Sequence, residues 1–141
     1  MTDPWTKFAH EPALIAALRR GKARKLVIAA QPDMLTAEQV VEKLDISRAA
    51  LLTRQRGFEL LGLWVNAELM IFPDWQFRED FPRGALPRIA RHFSEDTWSV
   101  YCFLIQPLVH LDEIQPLDML FAGREEEVFS AAEAIDQCGF L

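Results

Sequence analysis

Leu35-Thr-Ala-Glu-Gln-Val-Val-Glu-Lys-Leu-Asp-Ile-Ser-Arg48 is the stretch on which the reading of the fold turns. Thr36 is followed three residues later by Gln39, the spacing of a capping box in which hydroxyl and amide each satisfy the other's backbone N–H. Val40, Val41 and Leu44 then supply one apolar face of a short helix. Asp45-Ile46-Ser47 forms a three-residue turn. Its Asp45 stands where glycine is commonest, and aspartate tolerates left-handed geometry better than most residues. Ile46 plugs the corner, and Ser47 caps a second helix that runs through Arg48, Leu51, Leu52 and Arg56 to Gly57. Leu51 packs this helix back on the first. The stretch therefore predicts a helix-turn-helix.

With those positions buried, Ser47, Arg48, Ala49, Leu52, Thr53 and Arg56 face outward; Leu52 has an alternative seat against a following hairpin. The N-terminal part of such a second helix enters the major groove in DNA-binding proteins. Arg48 is the base-reading candidate, because a guanidinium can bind guanine bidentately. Ser47, Thr53, Arg54 and Arg56 are phosphate-contact candidates, giving affinity without sequence information, and Ala49 lies on the same face. The competing reading is a helix-turn-helix that serves only as scaffold or dimer interface.

Outward from this stretch the period changes. Residues 60–65 and 69–72 are strand-like runs separated by Asn66-Ala67-Glu68, a small hairpin where a wing would be. Phe72-Pro-Asp-Trp-Gln-Phe77 closes the segment, and Pro82, Gly84 and Pro87 mark a connection. Upstream, a leader gives way at Pro12 to an amphipathic helix with Leu14, Ile15, Leu18 and Leu26, which Gly21 either ends or weakens. Its run Arg19, Arg20, Lys22, Arg24, Lys25 reads as a solvated face or as a phosphate contact. Gln31-Pro32-Asp33 breaks the pattern.

Downstream, Leu86, Ile89, Ala90 and Phe93 form a helical stripe, and Ser94 with Glu95 and Asp96 reads as a helix start. The helix that follows carries two apolar faces. One is Trp98, Tyr101, Cys102 and Ile105; the other is Val100, Phe103 and Leu104. Such a helix is either central in its domain or partly reserved for a partner. Pro107 ends it, Pro116 opens a short helix, Gly123 breaks that one, and residues 124–137 form the last, with Val128, Ala132 and Ile135 inward. The expected fold is mainly α: an N-terminal helix-turn-helix with a small β-hairpin wing, followed by a C-terminal helical bundle. The expected organisation is a helical leader over 1–33, helix-turn-helix and hairpin over 34–77, and a helical domain over 84–141.

Half of the 141 residues are apolar, enough to build a packed core. The net charge of −6 is unevenly spread: residues 1–60 balance at +3 and residues 61–141 at −9, which suggests halves with different partners. Cys102 and Cys138 read as reduced core thiols of a cytoplasmic protein. No signal peptide is expected, and the longest apolar run, residues 100–105, is too short to span a bilayer. His10, His92 and His110 are not at metal-ligand spacing, and neither a glycine-rich phosphate loop nor a G-x-S-x-G elbow occurs. Glu125-Glu126-Glu127 sits at a helix start, where acids favour the helix dipole without any catalytic role. The expectation is a non-enzyme without catalytic residues, metal or cofactor.

Trp98-x-x-Tyr-x-Phe-Leu-x-x-Pro107, Gln115-Pro-Leu-Asp-Met-Leu-Phe-Ala-Gly-Arg124 and Glu127-Val-Phe-Ser-Ala-Ala132 together resemble the toxin-binding C-terminal domain of the Xre/MbcA/ParS-like antitoxins. The stretch 35–48 with Phe72–Phe77 is similar to the helix-turn-helix and closing motif that some of these proteins carry, and also to excisionase-type winged helices. The likeness covers residues 34–137. It implies a type II antitoxin that binds a cognate toxin, typically a RES-domain enzyme that consumes NAD, and blocks its cleft. It also implies a homodimer that represses its own operon by binding operator DNA. Trp98, Phe103, Leu104 and Pro107 match the family's apolar helix; Pro116, Leu117, Leu120, Gly123 and Arg124 match its second motif. This gives Trp98, Phe103, Leu104, Pro107, Leu117, Leu120 and Arg124 as toxin-contact candidates. The loop Leu111-Asp-Glu-Ile-Gln115 lacks the family's usual glycine-rich turn. Two alternatives stand beside this reading: a stand-alone transcriptional regulator or excisionase relative, and a helical adaptor whose helix-turn-helix is purely structural.

Overall fold

A three-residue strand absent from the sequence reading ties the two halves of the molecule together. The computed structural model describes the backbone of residues 12–137 and the side chains of residues 21–109 and 111–136. Strand β1 (Met34–Thr36) pairs antiparallel with β3 (Met70–Pro73), and β3 pairs antiparallel with β2 (Leu63–Trp64), giving the order β1-β3-β2. The hairpin over 60–72 is present in shortened form. The break expected at 31–33 leads into β1 rather than straight into a helix. A strand this short carries no period of its own and exists because β3 offers it an edge.

The alternation of β3 sends its side chains to opposite faces of the sheet. Phe72 and Met70 join a small core with Ala37, Val40, Leu51 and Leu60, to which Leu35, the cross-strand partner of Phe72, also packs. Ile71 and its partner Leu63 join a large core with Leu86, Ile89, Val100, Phe103, Leu104, Leu120, Val128 and others. The sheet is therefore the shared wall of two cores.

The small core is roofed by α2 (Ala37–Leu44) and α3 (Arg48–Arg56). The capping box forms: Gln39 N–H donates to Thr36 Oγ1 at 3.2 Å and Thr36 N–H to Gln39 Oε1 at 2.8 Å. Asp45 adopts the left-handed conformation (φ 53°, ψ 52°) that ends α2. Ser47 Oγ accepts from Ala50 N–H at 3.0 Å and starts α3. Beyond α3, Phe58 is left-handed (φ 57°) with its ring buried in the large core. Burial of a large ring offsets a backbone conformation unfavourable for a bulky residue. Leu60 and Leu61 then enter different cores.

The chain next to Leu61 is held by a buried amide. Gln76, in a 3₁₀ turn (Asp74–Phe77), is fully enclosed. Its Oε1 accepts from Leu61 N–H at 2.7 Å, and its Nε2 donates to Leu61 O at 2.9 Å and Pro73 O at 3.0 Å. The side chain thus replaces the missing strand neighbour of Leu61. Glycine is required at position 62: a Cβ there would lie 2.7 Å from Gln55 Cγ and from Met70 Sδ and 2.8 Å from Phe72 Cε2.

On the other face stand α4 (Ala85–Ala90), α5 (Thr97–Ile105), α6 (Pro116–Phe121) and α7 (Glu125–Gln137). The stripe Leu86, Ile89, Ala90, Phe93 is buried as expected. Ser94 and Glu95 do not start α5. Both are left-handed, and the helix begins after Asp96, whose carboxylate accepts from Ser99 Oγ at 2.6 Å. Of the two apolar faces of α5, Val100, Phe103 and Leu104 point fully inward, whereas on the other Tyr101 is buried, Trp98 and Ile105 are half-buried and Cys102 is exposed. Gly123 breaks α6 from α7 with φ 78°.

The first helix, α1 (Pro12–Ala29), runs through Gly21 without interruption. It packs on the large core through Ile28 and Ala29, leaving Leu26 and Val27 54% and 65% exposed. The architecture is mainly helical with a small three-stranded antiparallel sheet. Among the described residues no helix is long and apolar enough to cross a membrane.

Candidate nucleic-acid interface

The serine cap decides which part of α3 is available. Because Ser47 Oγ closes the first turn, Ser47, Arg48 and Ala49 stand exposed at the start of the helix. One turn on, Thr53 is exposed and donates its hydroxyl to Ala49 O at 3.0 Å; Arg56 is exposed and Arg54 half-buried. Leu51 and Gln55 point inward. These placements bring the six DNA-contact candidates onto one helix, five of them on its open face. Leu52 takes its alternative seat: it is half-buried against the small core, because α3 lies close enough to the sheet to cover it.

The electrostatics of this surface are mixed. Arg48 Nη1 reaches Glu38 Oε1 on α2 at 3.3 Å, with side chains 61% and 73% exposed. An ion pair this exposed is weak and open to competition. Residues 34–60 carry four basic and four acidic residues, so the segment is neutral and the basic excess of the first sixty residues resides in 1–33. Of that basic run, Lys22 and Arg24 are exposed, and Lys25 Nζ lies 5.2 Å from the centre of the Trp98 ring. The side chains of Arg19 and Arg20 lie outside the described residues. The α1 segment packs on the large core through Ile28 and Ala29, and α3 on the small one through Leu51 and Leu52. The hairpin tip is built by Asn66 Oδ1, which accepts from Glu68 N–H at 2.8 Å and Leu69 N–H at 2.9 Å; its one charged residue is Glu68.

The toxin-contact candidates fall into two groups. Phe103, Leu104, Leu117 and Leu120 are buried in the large core. Trp98 is half-buried and donates its indole N–H to Trp64 O at 2.9 Å. Pro107 is exposed, and Arg124 is exposed in a two-pronged contact with Glu127 at 2.9 and 2.7 Å. The surface beside Pro107 carries apolar side chains that sequence reasoning passed over: Val109 is 82% exposed and Ile114 37%. They flank the glycine-free loop, which turns through left-handed Asp112 and Glu113 and is closed by a bridge between Leu108 and Ile114.

Cys102 is not a core thiol. It lies exposed on the outer side of α5, because the inward face of that helix is taken by Val100, Phe103 and Leu104. Partial desolvation by its neighbours pushes the thiol up; Arg24 opposes this and Asp96 adds to it. Cys138 and His10 lie outside the described residues. His92 Nδ1 is 3.1 Å from Asp136 Oδ2, a link between the turn after α4 and the last helix. Among the described residues no group of three His, Cys, Asp or Glu is placed so that it could hold a metal ion.

Comparison with protein families, with curated proteins and with solved structures gives no match to the chain.

Proposed function

We propose that this chain is a DNA-binding regulator of the antitoxin type, with a winged helix-turn-helix over its first half and a helical partner-binding domain over its second. The observation that carries the DNA reading is the open start of α3, where Ser47, Arg48 and Ala49 stand exposed to solvent ahead of the buried Leu51 and Gln55. The element order supports it, since the antiparallel β2–β3 hairpin follows α3 and β1 precedes α2 on the same sheet. A homodimer would set two such helices about 34 Å apart, one turn of DNA. In this reading Arg48 exchanges Glu38 for a guanine edge, and Arg54 and Arg56 meet phosphates. The cognate toxin docks at the exposed Pro107, Val109 and Ile114, because Phe103, Leu104, Leu117 and Leu120 are spent on the core. That same burial favours a second reading, a stand-alone regulator whose C-terminal motifs only hold the fold.

Fluorescence anisotropy on DNA from upstream of the gene, repeated across a salt series, tests the DNA reading. Affinity should fall linearly with salt on a log–log scale, and Arg48→Ala should lose about 1–3 kcal/mol of discrimination between sites. Unchanged selectivity in Arg48→Ala would remove the base-reading role. Co-expression with the neighbouring reading frame separates the two proposals. Rescue of growth from a toxic neighbour supports the antitoxin, and failure to rescue leaves the stand-alone regulator.

A further inference from the structure

Between α1, the 3₁₀ turn at Trp75 and the corner of α5 and α6 lies an open cleft of about 710 Å³, within the size range of small-molecule sites, about 300–1,000 Å³. Its walls are apolar, contributed by Val27, Ile28, Trp75, Ile105 and Leu117. Two groups give it a polar end. Tyr101, only 3% exposed, lines it from α5, and Asp33 lines it from the loop after α1. The Asp33 carbonyl accepts from Asp74 N–H at 2.8 Å, which holds this residue against the Trp75 turn.

Asp33 is half-buried as a residue, and among the described residues its carboxylate has no cation within ion-pair distance. Burial first, and then the Asp33 charge, push the Tyr101 hydroxyl above its ordinary range, which keeps the phenol neutral. Gln115 contributes little polarity, since its Nε2 is already given to Ile105 O at 2.6 Å. Arg24 also lines the cleft, but it is exposed on α1, where water screens its charge more than that of the half-buried Asp33.

We propose that this cleft binds a lipophilic organic cation, with the Asp33 carboxylate as counter-ion, the half-buried Trp75 as its aromatic wall, and Val27, Ile105 and Leu117 covering the apolar body. A carboxylate on a half-buried residue, with no cation partner among the described residues, attracts a cation more strongly than one in open water, and the aromatic wall of Trp75 adds to that attraction. The apolar walls favour a weakly hydrated cation over an ammonium ion, whose hydration shell would have to be stripped. A bound ligand would also cover Val27, which is 65% exposed and, among the described residues of α1, the most exposed large apolar side chain. The chemistry of the cleft does not depend on α3 meeting DNA.

Equilibrium dialysis of the full chain against tetraphenylphosphonium, and against the near-isosteric anion tetraphenylborate, provides the test. The cation should bind saturably at one site and at least about tenfold more tightly than the anion. Asp33→Asn should weaken it by about tenfold with the thermal midpoint unchanged. Val27→Lys and Val27→Glu, at a surface position that does not endanger folding, should weaken and strengthen cation binding respectively. No saturable cation binding, equal or tighter anion binding, or an unchanged affinity in Asp33→Asn would overturn the proposal.

Discussion

The two faces of the sheet are built on different scales. Among the described residues, six enclose the core under α2 and α3, whereas 24 form the core under α4–α7. Six side chains are too few for an independent domain, so the α2–α3 face depends on β3 and on the larger core behind it. The division has a consequence for function. A thin layer over a well-anchored sheet can present a polar, exposed helix such as α3 without carrying the burden of stability. The thicker side spends Phe103, Leu104, Leu117 and Leu120 on packing and leaves Val109 and Ile114 exposed.

Removing the shared element is the strongest way to break the comparison. Phe72→Ala should cost about 3–5 kcal/mol although the side chain faces only the small core. In both wild type and variant, unfolding followed by tryptophan fluorescence and by far-ultraviolet circular dichroism should coincide, because β3 serves both faces. Two separate transitions would make the faces independent. Gln76→Ala comes next, at about 2–4 kcal/mol by chemical denaturation, because it leaves the N–H and C=O of Leu61 unpaired in the interior.

Smaller changes should stay on the thin side. Thr36→Ala removes the α2 cap at a cost of about 1 kcal/mol. Its signature should be faster amide exchange in the first turn of α2, with the α4–α7 amides unaffected. Glu38→Gln should change stability by no more than about 0.5 kcal/mol, because the pair with Arg48 is exposed. By releasing Arg48 and removing a negative charge, it should tighten DNA binding by about three- to tenfold at low salt. Equal affinity in Glu38→Gln and wild type would place Arg48 outside any DNA contact.

Much of the fold was legible wherever the deciding interaction was local. The Thr36–Gln39 box, the Asp45 turn, the Ser47 cap, the Pro116 start and the Gly123 break each involve groups within a few residues of one another, and each is found where the sequence places it. The candidate face of α3 was legible for the same reason, because its period and its cap are both written in 47–56. The pairing of Arg48 with Glu38 was not, since it depends on the crossing of α2 and α3. Nor was the cleft: its parts come from positions 27, 33, 75, 101, 105 and 117, and no sequence pattern brings them to one place.

What the sequence by itself determined is the course of the main helices, those starts and stops that local caps and breakers fix, and the division of charge between the halves. Short-range hydrogen bonds and backbone preferences act before any tertiary contact exists. What only the tertiary structure decided is which apolar face of α5 turns inward, that Cys102 faces out, and that a three-residue strand joins the sheet. Each of those depends on partners far along the chain: the strand on the pairing of Leu35 with Phe72, and the orientation of α5 with its Cys102 on the large core. The stretch Leu35–Arg48, with its two capped helices, thus carries its own geometry, while the sheet beneath it, and the second core that supports it, come from the folded whole.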